Sequence, residues 1–191
     1  MIASREAALS VYIALIRKWN PAINLVSPNT LHEIADRHIA DSVQLAEIAV
    51  AAGSWLDIGS GGGLPGIPLA ICQPARRVTL LDSDKRKVTF LRTCIRELEL
   101  TNAVAISARI EECPPANVRH VSARALAPLP TLVPYVVRHL ATGGTAWLMK
   151  GQNWREEVAA VADQWKFELT VHPSRTDPAA AILELNDIRH A

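Results

Sequence analysis

The sequence predicts an α/β protein: a mostly parallel seven-stranded sheet ending in an antiparallel hairpin, with a helical cap at the N-terminus. Three observations predict it. First, a short apolar run containing Asp57 meets four glycines within five residues, Gly59, Gly61, Gly62 and Gly63, and an apolar segment follows. That order reads as strand, tight turn and helix. Second, strand-like and helix-like patterns alternate from Trp55 onward, which means right-handed βαβ units and a parallel sheet. Third, only the loop from His172 to Pro178 separates the last two strand-like runs. No crossover helix fits there, so those two strands pair antiparallel.

The elements follow in order. Ile2, Leu9, Tyr12, Ile13, Ile16 and Trp19 form a helical stripe over residues 1–19, and Pro21 is expected to stop that helix. A turn-rich link begins at Asn24. A second helix is expected from Thr30 to Ala52, with Leu31, Ile34, His38, Val43, Leu45 and Ile48 at its apolar positions. Strands are expected at 55–59, 77–82, 103–107, 119–124, 144–150, 167–173 and 180–186. Helices are expected at 66–72, 85–99, 129–140 and 154–165. The chain divides into a cap, 1–52, and a Rossmann-like core, 53–191, within a single domain, 1–191.

Composition narrows the function classes. With 49% hydrophobic and 20% charged residues the chain is a folded protein, not a disordered one. A net charge of +1 rules out a global basic field and leaves room for a local basic patch. Cys72, Cys94 and Cys113 have neither metal-ligand nor disulfide-framework spacing, so no metal is expected and a reducing compartment suits the chain. The N-terminus lacks a signal-peptide core and no apolar run approaches membrane-spanning length, so a cytoplasmic protein without a membrane partner is expected.

The glycines admit two functional readings. Gly61-x-Gly63-x-x-Gly66 fits a dinucleotide fingerprint, with Asp82 21 residues after Gly61. Asp57-x-Gly59-x-Gly61-x-Gly63 resembles motif I of class I S-adenosylmethionine-dependent methyltransferases. The antiparallel closing hairpin favours the second reading, because a dinucleotide-binding domain has two parallel halves. In either case Asp82 ends the second strand, where a carboxylate can accept both hydroxyls of a ribose.

Longer motifs sharpen the resemblance. They are Lys18-Trp19-Asn20, Arg37-His38-Ile39 with Asp41-Ser42, the segment from Asp57 to Pro68, Leu81-Asp82-Ser83, and Phe90-Leu91-Arg92. Arg109-Ile110-Glu111-Glu112, Ser122-Ala123-Arg124-Ala125 and Lys150-Gly151 follow in order. Together they resemble the small-subunit ribosomal RNA guanine-N7 methyltransferases, the RsmG family, also called glucose-inhibited division protein B. Gly62 stands where many relatives have Pro.

The resemblance implies a class I methyltransferase fold with S-adenosylmethionine as cofactor. It implies 16S ribosomal RNA or the small ribosomal subunit as partner. Gly59, Leu64, Ile110, Glu111 and Arg124 fall where the family contacts the cofactor. Gly61 and Asp82 join them from the motif and ribose arguments. Arg37, His38 and Lys150 are candidates for the substrate side. Guanine N7 has an in-plane lone pair, so direct in-line methyl transfer needs no general base, and no catalytic residue is assigned.

Several readings stay open on sequence alone. Arg37 and Asp41, one helical turn apart, form either an intrahelical salt bridge or part of a lining over the site. Lys85, Arg86 and Lys87, with Arg92 and Arg96, form either a solvated helix face or a phosphate-contacting surface. An NAD(P)-dependent oxidoreductase and a non-catalytic ribosomal RNA-binding factor are the alternative functions.

Overall fold

The computed structural model describes residues 4–191, so Ile2 of the first helical stripe lies outside the described residues. Helix α1 spans Arg5–Ile23, with the Ser4 hydroxyl accepting the Ala7 N–H as its N-cap. Pro21 does not stop it. The ring sits on the exposed face of the last turn, where the carbonyl it leaves without an N–H partner reaches water. The stop comes from Asn24 at φ 47°, whose N–H returns to the Asn20 carbonyl. The buried Asn20 side chain then accepts the N–H groups of Leu25 and Val26 at 2.8 and 2.9 Å. That explains a polar residue on a buried face.

The expected second helix is broken. A 3-10 turn covers Pro28–Thr30, a turn of π-helix covers Ile34–Ile39, and regular helix α2 runs only over Ala40–Ile48. It ends early because Gln73 and Arg76 reach across to the carbonyls of Ala46, Ala49 and Ala51. The π-turn inserts one extra residue and carries Arg37 and His38.

The core follows the expected alternation: β1 (Trp55–Ile58), α3 (Gly66–Cys72), β2 (Val78–Asp82), α4 (Lys85–Glu97), β3 (Ala103–Ser107), β4 (Val118–Arg124), α5 (Leu129–His139) and β5 (Leu140–Lys150). Helix α6 covers only Trp154–Ala159, and β6 (Trp165–Pro173) and β7 (Ala181–His190) close the chain. Trp165 thus opens a strand rather than ending a helix. Its ring lies 4.0 Å from that of its register partner His190.

The strand order is β3-β2-β1-β4-β5-β7-β6. The first five strands are parallel, and β7 inserts antiparallel between β5 and β6. Chain order reverses between β1 and β4, so a crevice opens at their carboxyl ends.

Two apolar layers hold the sheet. On one side α1, α2, α3 and α4 pack around Tyr12, Ile16, Trp55, Leu80 and Phe90. On the other α5 and α6 cover Ile58, Val121, Leu148 and Leu183. Tyr12 does more than fill the first layer. Fully buried, its hydroxyl donates to the Gly62 carbonyl at 2.5 Å and so ties α1 to the glycine turn. Tyr12→Phe leaves that carbonyl without its partner. We expect a loss of about 1–3 kcal/mol, read from urea unfolding curves.

Candidate active site

The glycine turn is built to leave space above β1. Ser60 N–H donates to the Leu81 carbonyl, and its hydroxyl donates back to the Asp57 carbonyl. Gly59 stands at φ 61°, a left-handed conformation that a side chain strains. A Cβ there would also lie 2.5 Å from Leu126 Cδ1. Gly66 solves a different problem: a Cβ on it would sit 2.2 Å from Leu80 Cδ2, so α3 approaches the sheet only because it has none.

Asp57 is buried beneath the turn. Trp55 Nε1 donates to the Ser122 hydroxyl, which donates to Asp57 Oδ1 at 2.7 Å. Burial raises the Asp57 pKa to about 7, against the lowering effect of hydrogen bonds from Ser122, Ser60 and Gly66. Asp82, at the end of β2, has a structural task of its own. Oδ2 accepts the Gly61 N–H and Oδ1 the Asp84 N–H, both at 2.8 Å. Its carboxylate therefore shapes the turn while facing the cavity beside it.

Three cavities meet here. One of about 470 Å³ lies between the ends of β1, β2 and β3, lined by Gly59, Asp82, Ile110, Glu111, Leu126 and Tyr135 among others. One of about 370 Å³ runs over Gly59, Gly61 and Leu64 to Arg37, His38 and Arg124. A cleft of about 560 Å³ continues past Arg124 to Lys150 and the β6–β7 loop. Ala125, at φ 50°, borders all three. The structure thus brings Gly59, Gly61, Leu64, Asp82, Ile110, Glu111, Arg124, Arg37, His38 and Lys150 around one connected space.

The side chains are less free than their types suggest. Arg124 donates from Nη1 to the His38 carbonyl and from Nη2 to His38 Nδ1, and lies 3.8 Å from Asp41. Because a guanidinium only donates, His38 Nδ1 is an acceptor, and its Nε2–H donates to the Thr30 hydroxyl at 2.9 Å. The Arg37–Asp41 salt bridge is not formed. Arg37 pairs with Asp177 at 3.2 Å and Glu33 at 3.6 Å, while Asp41 accepts the hydroxyls of Ser174 and Thr176. The π-turn separates the two side chains. Lys150 is held by Glu157 at 2.6 Å and by the Ala127 carbonyl, and Glu157 also accepts the first amide of α5. Glu111 pairs with Arg109 at 3.0 Å.

Some contributors carry little sequence signal. Asp41's partners lie 133 and 135 residues away, on the β6–β7 loop. His139, buried at the end of α5, donates from Nε2 to the Ile110 carbonyl and accepts the Ala116 N–H at Nδ1, fixing the segment after β3. Only its place on the apolar face of an amphipathic helix hinted at it.

Burial, then the charges of Arg124 and Arg37, lowers the His38 pKa from 6.5 to about 4, against the opposing pull of Asp41 and Glu33. The unfolded chain takes up a proton near its ordinary value while the folded chain does not. His38 therefore stabilises the fold fully above about pH 6.5, and that contribution is lost as pH falls toward about 4. Asp57 acts with the opposite sign between 3.8 and about 7, where the folded chain holds the extra proton. The difference between wild type and His38→Gln isolates the histidine. The variant's midpoint of urea unfolding should fall less steeply than the wild type's from pH 6.5 to 4.

Among the described residues, no group of three or more His, Cys, Asp or Glu side chains is placed to hold a metal. No helix among them is long and apolar enough to cross a membrane.

Comparison with known proteins agrees with this architecture. The family model described as rRNA small subunit methyltransferase G matches residues 5–179. The ribosomal RNA small subunit methyltransferase G of Paracoccus denitrificans is 54% identical over 193 residues, covering 100% of both chains. That of Ruegeria sp. is 46% identical, covering 97% of this chain and 93% of its own. Among solved structures, M. jannaschii TYW2 in complex with AdoMet superposes with a TM-score of 0.62 at 15% identity, covering 81% of this chain and 76% of that one. That last likeness concerns the fold.

Proposed function

The chain belongs to the rRNA small subunit methyltransferase G family, and from that premise we propose that it methylates N7 of a guanine in 16S ribosomal RNA, using S-adenosylmethionine. The observation that carries the reading is the connected space itself. A cofactor-sized cavity beside Asp82 opens, past Arg124, into a second cleft large enough for a base.

The residues present fit S-adenosylmethionine. Gly59 presents bare backbone to both cavities, and the Asp82 carboxylate is preset by two backbone N–H groups. Gly59, Gly61, Leu64, Asp82, Ile110, Glu111 and Arg124 would hold it. When bound, the cofactor supplies a methyl group activated by a sulfonium.

The chain's own residues contribute position and exclusion of water. Asp82 orders the turn. His38 and Asp41 fix the Arg124 guanidinium where the two cavities join. His38 has both ring nitrogens engaged and is neutral, which suits a reaction needing no proton abstracted before attack. Guanine N7 presents an in-plane lone pair at neutral pH, so alignment alone is required. Residues 4–52 serve as a cap that closes the site from one side.

Family membership sets aside the oxidoreductase alternative, and so does the antiparallel β7 within the sheet. The test compares nucleoside digests of 16S ribosomal RNA from cells with and without the protein. Loss of N7-methylguanosine from the deletion strain supports the proposal. An unchanged digest favours a non-catalytic RNA-binding role, and loss of a different methylated nucleoside reassigns the target atom.

A further inference from the structure

Five cations line the three cavities: Arg37, Lys87, Arg109, Arg124 and Lys150. Four are already committed to carboxylates. Arg37 has Asp177 and Glu33, Arg109 has Glu111 and Glu112, Arg124 has Asp41, and Lys150 has Glu157. Among the described residues, the Lys87 side chain has neither an ion pair nor a hydrogen bond. Its neighbour Asp84 is taken by Arg86 at 3.1 Å.

The pairing decides what each part of the cleft can receive. In the 560 Å³ cleft, Arg37, Arg124 and Lys150 face Asp41, Asp177 and Glu157, three positive charges against three negative. A phosphate entering there would meet a carboxylate with every cation, and desolvating it would go uncompensated. An uncharged nucleobase, turned out of its stack, meets no such penalty. The base brings its phosphate with it, and that phosphate needs a cation at the rim. Lys87 stands half-buried on the first turn of α4. It lines both the cavity beside Asp82 and the cavity shared with Arg37 and Arg124.

We propose that Lys87 holds an RNA backbone phosphate next to the target guanine, while the ion-paired cleft takes the base as a neutral group. This rests on the ribosomal RNA reading above. It also narrows the basic run of α4: the phosphate contact belongs to Lys87, on the two cavities that adjoin the cleft, with Arg86 occupied by Asp84.

The experiment measures binding of the full chain to small-subunit RNA particles across a salt series, for wild type, Lys87→Gln and Lys87→Arg. S-adenosylmethionine affinity is measured by calorimetry, and methyl transfer is assayed for the wild type. One lost phosphate contact should lower the log–log salt slope of Lys87→Gln by about 0.7–0.9, and Lys87→Arg should restore it. Cofactor affinity should stay within about twofold, well below the tenfold that 1.4 kcal/mol represents. Parallel salt lines for wild type and Lys87→Gln overturn the proposal. So does a large loss of cofactor affinity at unchanged slope, which would assign Lys87 to the cofactor's carboxylate. If the wild type itself transfers no methyl group to the RNA, the functional reading fails and this inference with it. If the wild type is active and the slopes are equal, the inference alone fails.

Discussion

Asp82→Ala is expected to weaken S-adenosylmethionine binding by about tenfold to 150-fold, the equivalent of losing charged hydrogen bonds worth about 1.5–3 kcal/mol. Two effects combine in that figure. The carboxylate can accept ribose hydroxyls from the end of β2, and it already holds the amides of Gly61 and Asp84 in place. Calorimetric titration of the variant reads the loss, and circular dichroism confirms that the sheet survives. Asp82→Asn separates the two effects in part, because its amide oxygen can still accept one of the two backbone N–H groups. Unchanged affinity with an intact fold would remove Asp82 from the cofactor site.

Arg124→Met is expected to lower stability by about 3–5 kcal/mol, because it leaves Asp41 buried without its cation. The Asp41 side chain is only 10% exposed, and its remaining partners, Ser174 and Thr176, are neutral hydroxyls. His38 also loses the donor to its carbonyl and to Nδ1. Methyl transfer should fall with the loss of that fixed charge where the cavities join. The double variant Arg124→Met, Asp41→Asn separates the two roles. It should regain much of the stability, since the orphaned charge is gone, yet remain inactive. Urea unfolding and a methyl-transfer assay on the same preparations check both parts. Recovery of activity in the double variant would mean that Arg124 serves only to neutralise Asp41.

The fold was legible because its signals are local. The switch from helical stripe to strand alternation at Trp55, the glycine cluster, and a final loop without a helix each occupy a few consecutive residues. The expectations that failed were places where distant groups decide. Pro21 stays inside α1 because its ring lies on the exposed face, and the stop comes three residues later at Asn24, whose N–H returns to the Asn20 carbonyl. The second helix ends short because Gln73 and Arg76 cap it from another element. The candidate site divides the same way. Gly59 and Asp82 follow from motif spacing, since a strand end and a turn are read in sequence. Arg37 and Asp41 also find partners on a loop more than 130 residues away, Asp177 for the first and Ser174 and Thr176 for the second, and no pattern in the chain announces them. Helical spacing instead suggested pairing those two with each other.

The bond from Tyr12 to the Gly62 carbonyl reaches beyond local stability. The segment that would touch the cofactor takes its shape partly from a helix near the start of the chain, 50 residues earlier. Occupancy of the site and docking of α1 are then two readings of one equilibrium. Whatever loosens the helix raises the cofactor's dissociation constant, and cofactor binding returns the same free energy to the helix. Substitutions on α1's buried face should then shift cofactor affinity, although none of its residues need meet the ligand.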